Sequence, residues 1–487
     1  MSPKCLLISP LRGEEKHPAN PLATSQRFLN FGVLSLASYL NRKGISTIVL
    51  DEYSLDPKRE LLDEIIFWFG AECPLLVGVS SISSYSAERT QHILSKSAKY
   101  WPEVPRVIGG QHFVGYWGDQ FAKFMPEADI LIAGEAEDAM FKILNALQNG
   151  VNLQSLEPSK LPTNVFWKSN QIIQHGKLPA STSLPIDELI NVDYSLYPGS
   201  ELLFPSVEFS RGCPFSCVFC ANSRENRLGY RRASALNLAQ AVLRLMEMRQ
   251  ERPVQFYLQA SNFSVTVEES KSITEALLKN GEIAHWRTEI RVDGVQKEAL
   301  KNLAKAGLQV LDLGLESASP RILKIMHKTA NPILYLKQAE NVLREATNCG
   351  IFTKVNFLIH PGDTIDTVEE SWDWLRSHAD IISGISSGVT LEYPGTQLSK
   401  NMERYELEFG TKRIEHPLSN WGVYFLEPSS SLSYDKAEEL SVKIAQSLQT
   451  RANFAKSKSF GYIGVKGSAD QILSSLPEAS HETPYRK

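Results

Sequence analysis

Short apolar runs alternate with helical apolar repeats along the first 150 residues of this 487-residue chain. Residues 4–10 (KCLLISP) predict a buried strand, and the apolar spacing of 31–43, which stops at Gly44, predicts a helix with a glycine C-cap. Further strands are predicted over 45–50, 75–80, 106–108 and 129–133, and further helices over 60–69 and 86–98. This alternation predicts an α/β domain over 1–150, a Rossmann-like doubly wound parallel sheet.

Residues 151–200 interrupt the alternation. Prolines and polar residues break the helical periodicity, and a short strand pair is predicted around 164–174. We interpret this stretch as a structured linker between two domains.

A second alternation begins beyond residue 200. Strands are predicted over 254–258, 286–292, 310–315, 354–359 and 388–391, with helices over 236–249, 269–279, 297–306 and 333–347. The pattern suits a partial (β/α)6 barrel over 201–400. Residues 401–487 predict a small, mostly helical C-terminal region, with a helix over 434–448 and a tail, 466–487, that is expected to fray because it is rich in Ser, Glu, Pro and Lys.

Charge and apolar content exclude several classes of protein. The formal net charge of −4 offers no bulk attraction for nucleic acid. No apolar run approaches the roughly 20 residues of a membrane span, and the N-terminus lacks the apolar core of a signal peptide. Six cysteines in so long a chain do not make a disulfide scaffold. We therefore expect a soluble cytoplasmic protein that acts on a small molecule or a peptide, with no membrane partner.

Three of the six cysteines, Cys213, Cys217 and Cys220, lie within eight residues. Structural zinc and closed iron-sulfur clusters normally take four protein ligands, so three thiolates on a [4Fe-4S] cluster leave one iron open. Two alternatives are a zinc site completed by a distant histidine and plain reduced thiols in a loop. The other cysteines, Cys5, Cys73 and Cys349, are isolated in sequence, so we expect small buried side chains and no second cluster.

The Cys-x3-Cys-x2-Cys spacing, with Phe219 before the last cysteine, resembles the cluster loop of the radical S-adenosylmethionine (SAM) enzymes. In that family the open iron binds the amino and carboxylate groups of SAM, and reductive cleavage yields a 5'-deoxyadenosyl radical. The resemblance implies that the three cysteines hold the cluster and that Phe219 packs beside the adenine. It also implies an external electron donor such as flavodoxin or ferredoxin.

The predicted barrel strands carry further parts of this resemblance. Residues 307–328 are similar to the family's strand-five region, and Tyr393-Pro394-Gly395-Thr396 is similar to its strand-six exit. The resemblance implies that Arg291 pairs with the SAM carboxylate, while Glu289 and Glu316 hold its ribose or amino group. The alternative is an internal ion-pair layer that closes the barrel mouth. Asn262 stands where relatives often carry an acidic residue.

The first domain resembles the N-terminal domain of the cobalamin-binding radical SAM class. The resemblance rests on a proline-rich loop, a helix, a strand that ends in Asp51, and the segments Gly109-Gly110-Gln111-His112 and Gly134-Glu135-Ala136-Glu137. It implies a cobalamin-type pocket formed by Gly109, Gly110, Gly134 and Glu135.

The Asp-x-His-x-x-Gly motif that supplies a lower ligand to cobalt is absent, and His17 lacks its flanking residues. Cobalamin then binds without a histidine below the cobalt, or the pocket is vestigial. For His112 the sequence favours a hydrogen-bonded loop histidine over a replacement ligand.

Three functions are compatible with these patterns. The first is cobalamin-dependent methylation of an unactivated carbon or phosphorus, in which SAM serves both as methyl source and as radical source. The second is a cobalamin-independent dehydration, epimerisation or rearrangement with a vestigial cobalamin domain. The third is a corrinoid or redox sensor without turnover.

Overall fold

The computed structural model describes residues 4–11, 28–55, 61, 65, 72–116, 118–170, 172–179, 184–223, 229–249, 252–279, 281, 284–460 and 469–487. Most of the helix predicted over 60–69 lies outside these residues, although Leu61 and Ile65 are buried.

The first sheet has seven strands in the order β2-β1-β3-β4-β5-β6-β7. These strands are β1 Lys4–Ser9, β2 Ser46–Asp51, β3 Leu76–Ser80, β4 Arg106–Gly109, β5 Ile130–Ile132, β6 Val165–Ser169 and β7 Ile172–His175. The helices Phe31–Arg42, Ala87–Tyr100, Gly118–Phe124 and Glu137–Gln148 alternate with the parallel strands β1 to β5. The predicted doubly wound parallel sheet is therefore confirmed.

The strand pair predicted in the linker belongs to this sheet. Strand β6 pairs antiparallel with β5, and β7 pairs antiparallel with β6. The first sheet thus continues to His175, beyond the boundary near residue 150 that the helix-strand alternation indicated. The antiparallel strands β6 and β7 interrupt the helix-strand alternation, and for this reason the sequence pattern predicted a linker there.

Buried apolar runs and one asparagine organise the centre of the first sheet. Strand β1 lies between β2 and β3, and its Cys5 and Ile8 side chains are fully buried, as expected for a parallel strand covered on both faces. Asn30 accepts a hydrogen bond from Val33 N at 3.3 Å and so caps the first helix. Its Nδ2 donates to Ser9 Oγ and Ser80 O, each at 3.3 Å, and so ties together the carboxyl ends of β1 and β3. Strand order reverses between these two strands, which is where such sheets bind ligands.

The second sheet has the order β14-β13-β12-β11-β10-β8-β9. Its strands are β8 Ser206–Arg211, β9 Arg231–Arg232, β10 Gln255–Ala260, β11 His285–Arg291, β12 Leu308–Glu316, β13 Phe352–Ile359 and β14 Gly384–Val389. The helices Ala235–Met248, Val267–Leu278, Leu300–Lys305, Pro320–Ile325, Pro332–Asn348 and Ile365–Ser377 lie between them in sequence. Six parallel strands in sequential order confirm the partial (β/α)6 barrel.

The last barrel strand is displaced from its predicted position. The sequence predicted a strand over 388–391, whereas β14 spans Gly384–Val389. The strand reads GISSGV, and Ser386 and Ser387 line an internal cavity, so it lacks the apolar run that marks a buried strand.

The C-terminal region closes against the barrel. It contains the helices Gln397–Lys400, Met402–Phe409, Tyr434–Leu448, Arg451–Lys458 and Ala469–Ser475, and the antiparallel strands β15 Lys412–Ile414 and β16 Phe425–Glu427. The helix Tyr434–Leu448 packs against β14. No helix in the described part of the chain is both long enough and apolar enough to cross a membrane.

The predicted fraying of the tail is wrong for residues 469–487. Tyr485 is fully buried, with its ring 5.0 Å from the ring of Phe454, and Gln449 Nε2 donates to Pro484 O at 2.7 Å. A polar composition had suggested an exposed tail, but one aromatic ring and one buried amide suffice to dock it. Residues 466–468 lie outside the described part of the chain.

The two domains touch through glycine backbone. A Cβ atom at Gly115 would lie 1.7 Å from the carbonyl oxygen of Pro394, and one at Gly395, whose φ is +75°, would lie 2.5 Å from Gly115 Cα. Only glycine permits this approach between the loop after β4 and the loop after β14.

We expect Gly115→Ala to lower the free energy of unfolding by about 1–3 kcal/mol, because the added methyl group forces the two loops apart. Urea denaturation of the apoprotein measures the change. Gly388→Ala is the matched control, since a Cβ there meets nothing within 4 Å. Equal stability of the two variants would contradict the proposed contact.

Candidate functional site

One cavity of about 1130 Å³ lies between the carboxyl ends of the first sheet and the interior of the second. The first domain contributes all four residues of the predicted cobalamin-type pocket, namely Gly109, Gly110, Gly134 and Glu135. The second domain contributes Phe219, Cys220, Tyr257 and Glu289, among others. The volume exceeds the range of about 300–1,000 Å³ that is usual for small-molecule pockets. The cavity is therefore large enough for a ligand bigger than a typical small molecule.

Gly110 shapes the wall on the side of the first domain. Its φ is +97°, and a Cβ there would lie 2.4 Å from Ser81 O, so the loops after β3 and β4 meet without a side chain between them. His112 N donates to the same Ser81 oxygen at 3.1 Å. The wall is consequently built from backbone, which lets a flat ligand approach closely.

His112 has the hydrogen-bonded loop role that the sequence favoured. Its Nδ1 lies 3.1 Å from Ser84 Oγ and its Nε2 lies 3.1 Å from Tyr116 Oη, so both ring nitrogens are engaged. The side chain is buried, and this burial lowers its pKa to about 4. The other histidine considered as a ligand, His17, lies outside the described residues.

The three clustered cysteines follow β8 on one loop. Asn222 N donates to Cys220 Sγ at 3.3 Å, and Arg291 Nη1 donates to Cys217 Sγ at 3.1 Å. Burial, together with the neighbouring Cys217 and Cys213, raises the pKa of Cys220 to about 11. A bound metal centre would stabilise the thiolate form, and hydrogen bonds to the sulfurs are typical of iron-sulfur sites. The loop therefore fits a [4Fe-4S] cluster with three protein ligands.

A single-ion site finds less support. Among the described residues, no three His, Cys, Asp or Glu side chains are placed to hold one metal ion. A four-iron cluster makes no such demand, because each cysteine binds a different iron. Of the isolated cysteines, Cys5 is buried, Cys349 is half-buried and Cys73 is exposed, so the prediction that all three are buried is wrong for Cys73.

Arg291 and Glu316 lie beside the cluster loop and share one neighbour. The Arg291 guanidinium pairs with Asp293 at 2.8 and 3.1 Å, donates to Lys328 O at 2.7 Å and covers the Phe215 ring. Lys328 Nζ pairs in turn with Glu316 at 3.1 Å. The ion pairs of the alternative interpretation are therefore present. Contacts of Arg291 and Glu316 with SAM stay a prediction.

Glu289 lies apart from this pair. It is hydrogen-bonded to Tyr257 inside the barrel, and burial together with the charge of Asp312 raises its pKa. Its side chain is nevertheless accessible, because it projects into the cavity. Strand position alone had grouped it with Arg291 and Glu316.

Three further residues considered for the site are Phe219, His360 and Asn262. Phe219 lines the cavity, with its ring 6.0 Å from that of His360. His360 is fully buried and its Nδ1 bonds to Pro361 O at 2.9 Å, as expected of a turn histidine, while Nε2 has no hydrogen-bond partner among the described residues. Asn262 is buried, and its Oδ1 likewise lacks a partner in the described part of the chain. The role of Phe219 beside adenine stays a prediction.

Sequence reasoning missed an ion network centred on Arg211. Its guanidinium pairs with Glu208 at 2.9 Å on its own strand and with Glu137 at 2.9 Å in the first domain, and it reaches Glu135 at 3.4 Å. Arg231 also pairs with Glu135. We call these five residues the Arg211 cluster. The local signal is limited to Arg211 and Glu208 on one strand, since Glu135 and Glu137 are distant in sequence.

The Arg211 cluster has two cations for three carboxylates. Despite burial, the charge of Arg211 and its hydrogen bond lower the pKa of Glu137, whereas burial prevails at Glu208 and raises its pKa. Arg211 itself is held well above its ordinary pKa by the three acids around it, although burial opposes this. The guanidinium thus stays charged and joins the cluster-bearing strand to the first domain.

Arg211→Met should lower the free energy of unfolding by roughly 3–5 kcal/mol, because it leaves buried carboxylates without their cationic partner. Urea denaturation of the apoprotein provides the measurement. Arg232→Met removes an arginine whose pair with Glu269 is more than a third exposed, and it should cost only about 0–1 kcal/mol. Similar losses in the two variants would argue against a structural role for the Arg211 cluster.

The low pKa of His112 predicts a loss of stability in acid. Its folded pKa of about 4 lies below the ordinary value of 6.5, so its contribution is complete above pH 6.5 and disappears as the pH falls towards 4. The loss attributable to this side chain is at most roughly 3 kcal/mol. Unfolding of apo His112→Gln, followed from pH 7.5 to 4.5, should show a shallower decline than the parent. His481→Gln alters an exposed histidine and should follow the parent curve.

Two protein-family models match the chain. The radical SAM superfamily model matches residues 207–375, and the B12 binding domain model matches residues 24–144. The first therefore covers the cluster loop and the barrel as far as residue 375, before β14, and the second covers the cavity wall of the first domain.

Individual relatives and structures agree with these matches. An uncharacterised methyltransferase of Pyrococcus horikoshii is 24% identical over 376 residues, which span 76% of each chain. The anaerobic magnesium-protoporphyrin IX monomethyl ester cyclase of Cereibacter sphaeroides is 28% identical over 320 residues, 62% of this chain and half of the cyclase. The fold is similar to that of the cobalamin-dependent SAM radical enzyme OxsB with aqua-cobalamin and SAM bound, with a TM-score of 0.69, 17% identity, and coverage of 97% of this chain and 70% of OxsB.

The cysteine loop, the barrel and the backbone-lined wall of the cavity are thus the parts that these comparisons match. The cofactors that follow are a [4Fe-4S] cluster, SAM and cobalamin. The chain belongs to the radical SAM superfamily, and it is a radical SAM enzyme of the class that carries a B12-binding domain.

Proposed function

We propose that this enzyme methylates an unactivated carbon or phosphorus centre of a small molecule or peptide, with SAM as the methyl source. One observation carries the proposal: the residues of the cobalamin-type wall and those of the cluster loop line the same cavity. A substrate there can face both cofactors at once. The similarity to the Pyrococcus horikoshii methyltransferase supports the same reaction class.

The bound cofactors would supply a 5'-deoxyadenosyl radical on the cluster side and a transferable methyl group on the corrin side. The protein's part is to hold and insulate them. Cys213, Cys217 and Cys220 would hold the cluster, and Arg291, which donates to Cys217, would stabilise a thiolate. Phe219 would pack against adenine from its place on the cavity wall.

On the opposite side, the backbone at Gly109, Gly110 and Gly134 would support the corrin ring. Glu135 also lines the cavity, and its carboxylate is oriented by Arg231 and Arg211. Oriented carboxylate oxygens can accept hydrogen bonds from amide groups at the rim of a corrin.

A second candidate is a radical reaction without methyl transfer, such as ring closure, epimerisation or dehydration. The similarity to the Cereibacter sphaeroides cyclase favours it, because that protein is named for a ring closure. The chain spans only half of that cyclase, however, against three quarters of the methyltransferase. We therefore rank methylation first.

Reduction of the cluster calls for an electron from outside the chain. Cys5, Cys73 and Cys349 are isolated in sequence, whereas a second cluster would need several thiolates close together. We propose a flavodoxin or ferredoxin as donor, and a reducing compartment such as the cytoplasm, in which free thiols persist.

The decisive experiment combines corrin retention with methyl labelling. Anaerobically reconstituted protein is incubated with hydroxocobalamin, desalted, reduced and given SAM with a deuterated methyl group. We expect about one corrin per chain, and a deuterated methyl group on the extracted corrin. Cys217→Ala should abolish 5'-deoxyadenosine formation but retain corrin, because the cysteine lies on the barrel side. An intact cluster with no retained corrin would reject methylation and favour the second candidate.

A further inference from the structure

A belt of charged and polar side chains crosses the interior of the barrel below the cluster loop. We define the barrel belt as Tyr257 on β10, Arg287 and Glu289 on β11, Asp312 on β12, and Lys354 on β13. Four of these line the cavity, and Asp312 is fully buried behind them. The belt is thus part of the cavity on the side away from the cobalamin-type wall.

The two cations of the belt, Arg287 and Lys354, both pair with Asp312. Arg287 donates to both oxygens of Asp312, at 2.5 and 3.0 Å, and Lys354 Nζ donates to it at 2.8 Å. Arg287 also donates to Ser457 O and Phe460 O in the C-terminal region. Burying such pairs is often less stabilising than apolar packing of the same volume. A polar belt at the centre of a barrel therefore suggests a role in binding.

Glu289 is the carboxylate of the belt that the cations leave available. Its partner is the Tyr257 hydroxyl, which can satisfy one of its oxygens. Its side chain is exposed, and it lines the cavity. A ligand in the cavity can therefore donate a hydrogen bond to it.

Glu289 lies on β11 between Arg287 and Arg291. Its side chain lies on the same face of the strand as Arg287 and Arg291, and Arg291 contacts the cluster cysteine Cys217. Two residues of a strand span about 7 Å. Glu289 thus lies about 7 Å along the strand from Arg291, which contacts the cluster loop.

The surrounding cavity wall is suited to a hydrophilic ligand. Gln259, Ser261, Ser386 and Ser387 line the same cavity as Glu289. A wall of this kind would leave several polar groups unsatisfied against a hydrocarbon surface. A hydroxyl or amine of a ligand can satisfy them instead.

We infer that the barrel belt is the substrate-binding site, and that Glu289 binds a hydroxyl or protonated amine of a small polar substrate. The inference rests on the proposed function for the identity of the reaction, and it reassigns Glu289 from SAM to the substrate. Glu289 is a specificity-determining residue in this view, with Tyr257 and Asp312 as positioning residues.

The test uses reconstituted holoenzyme with cluster, cobalamin and SAM. The polar probes are D-glucosamine, ethanolamine and cytidine, and the apolar probes are protoporphyrin IX and squalene. Binding is scored by the shift in melting temperature and by the rise in 5'-deoxyadenosine formation over the rate without probe. We expect a response to at least one polar probe, and a loss of affinity of roughly 10–100-fold in Glu289→Gln.

Matched variants separate substrate binding from SAM binding. Glu269→Gln alters an exterior glutamate of the barrel and should keep the probe response. The SAM dissociation constant, measured by equilibrium dialysis, should stay within about twofold in Glu289→Gln, whereas Glu316→Gln should weaken SAM binding by roughly tenfold. The inference would be overturned if Glu289→Gln kept tight binding of the polar probes or lost SAM binding. It would also be overturned if the parent protein responded to the apolar probes alone or to no probe.

Failure of this inference is distinguishable from failure of the proposed function. Corrin retention and methyl labelling of the corrin need no substrate, so they test the cofactor requirement of the proposed methylation independently of the substrate site. A polar-probe response that depends on Glu289, in protein that retains no corrin, would reject methylation and preserve the substrate site.

Discussion

The Arg211 guanidinium holds together the two halves of the molecule on which the chemistry depends. It lies at the end of β8, immediately before the cluster loop, and contacts Glu135 and Glu137 from the loop after β5. A monodentate or surface pair could not fix this geometry, because exposed ion pairs contribute little. Here the guanidinium is buried and multiply bonded, so one side chain sets the spacing between the cobalamin-type wall and the cysteine loop.

This spacing creates the shared cavity. Backbone contacts at Gly115 and Gly110 bring loops of the two domains, and of the first sheet itself, closer than any side chain would allow. The result is a space with a backbone wall on one side and a polar barrel on the other. Two cofactors that react with one substrate need such a space, common to both.

A single barrel strand illustrates how the polar interior is built. On β11, Trp286 and Ile290 belong to the apolar core, while Arg287, Glu289 and Arg291 face inward. Along the strand, Arg287 pairs with Asp312, Glu289 is hydrogen-bonded to Tyr257, and Arg291 contacts Cys217 of the cluster loop. Alternation with period two thus separates stability on the outer face from chemistry on the inner face.

The sequence by itself determined the fold class, the two-domain order and the cysteine loop, because these are carried by residues that are neighbours in the chain. Apolar periodicity predicted most of the strands, and it went wrong at β14, where inward serines replace the apolar run, and at the docked tail around Tyr485. Only the tertiary structure decided which charges meet. Arg211 and Glu135 are 76 positions apart in the sequence. Glu289 and Arg291 lie on the same strand, but Glu289 contacts Tyr257 whereas Arg291 contacts the cluster loop. Local patterns encode periodicity, whereas the pairing of buried charges depends on contacts between distant segments that no local pattern records.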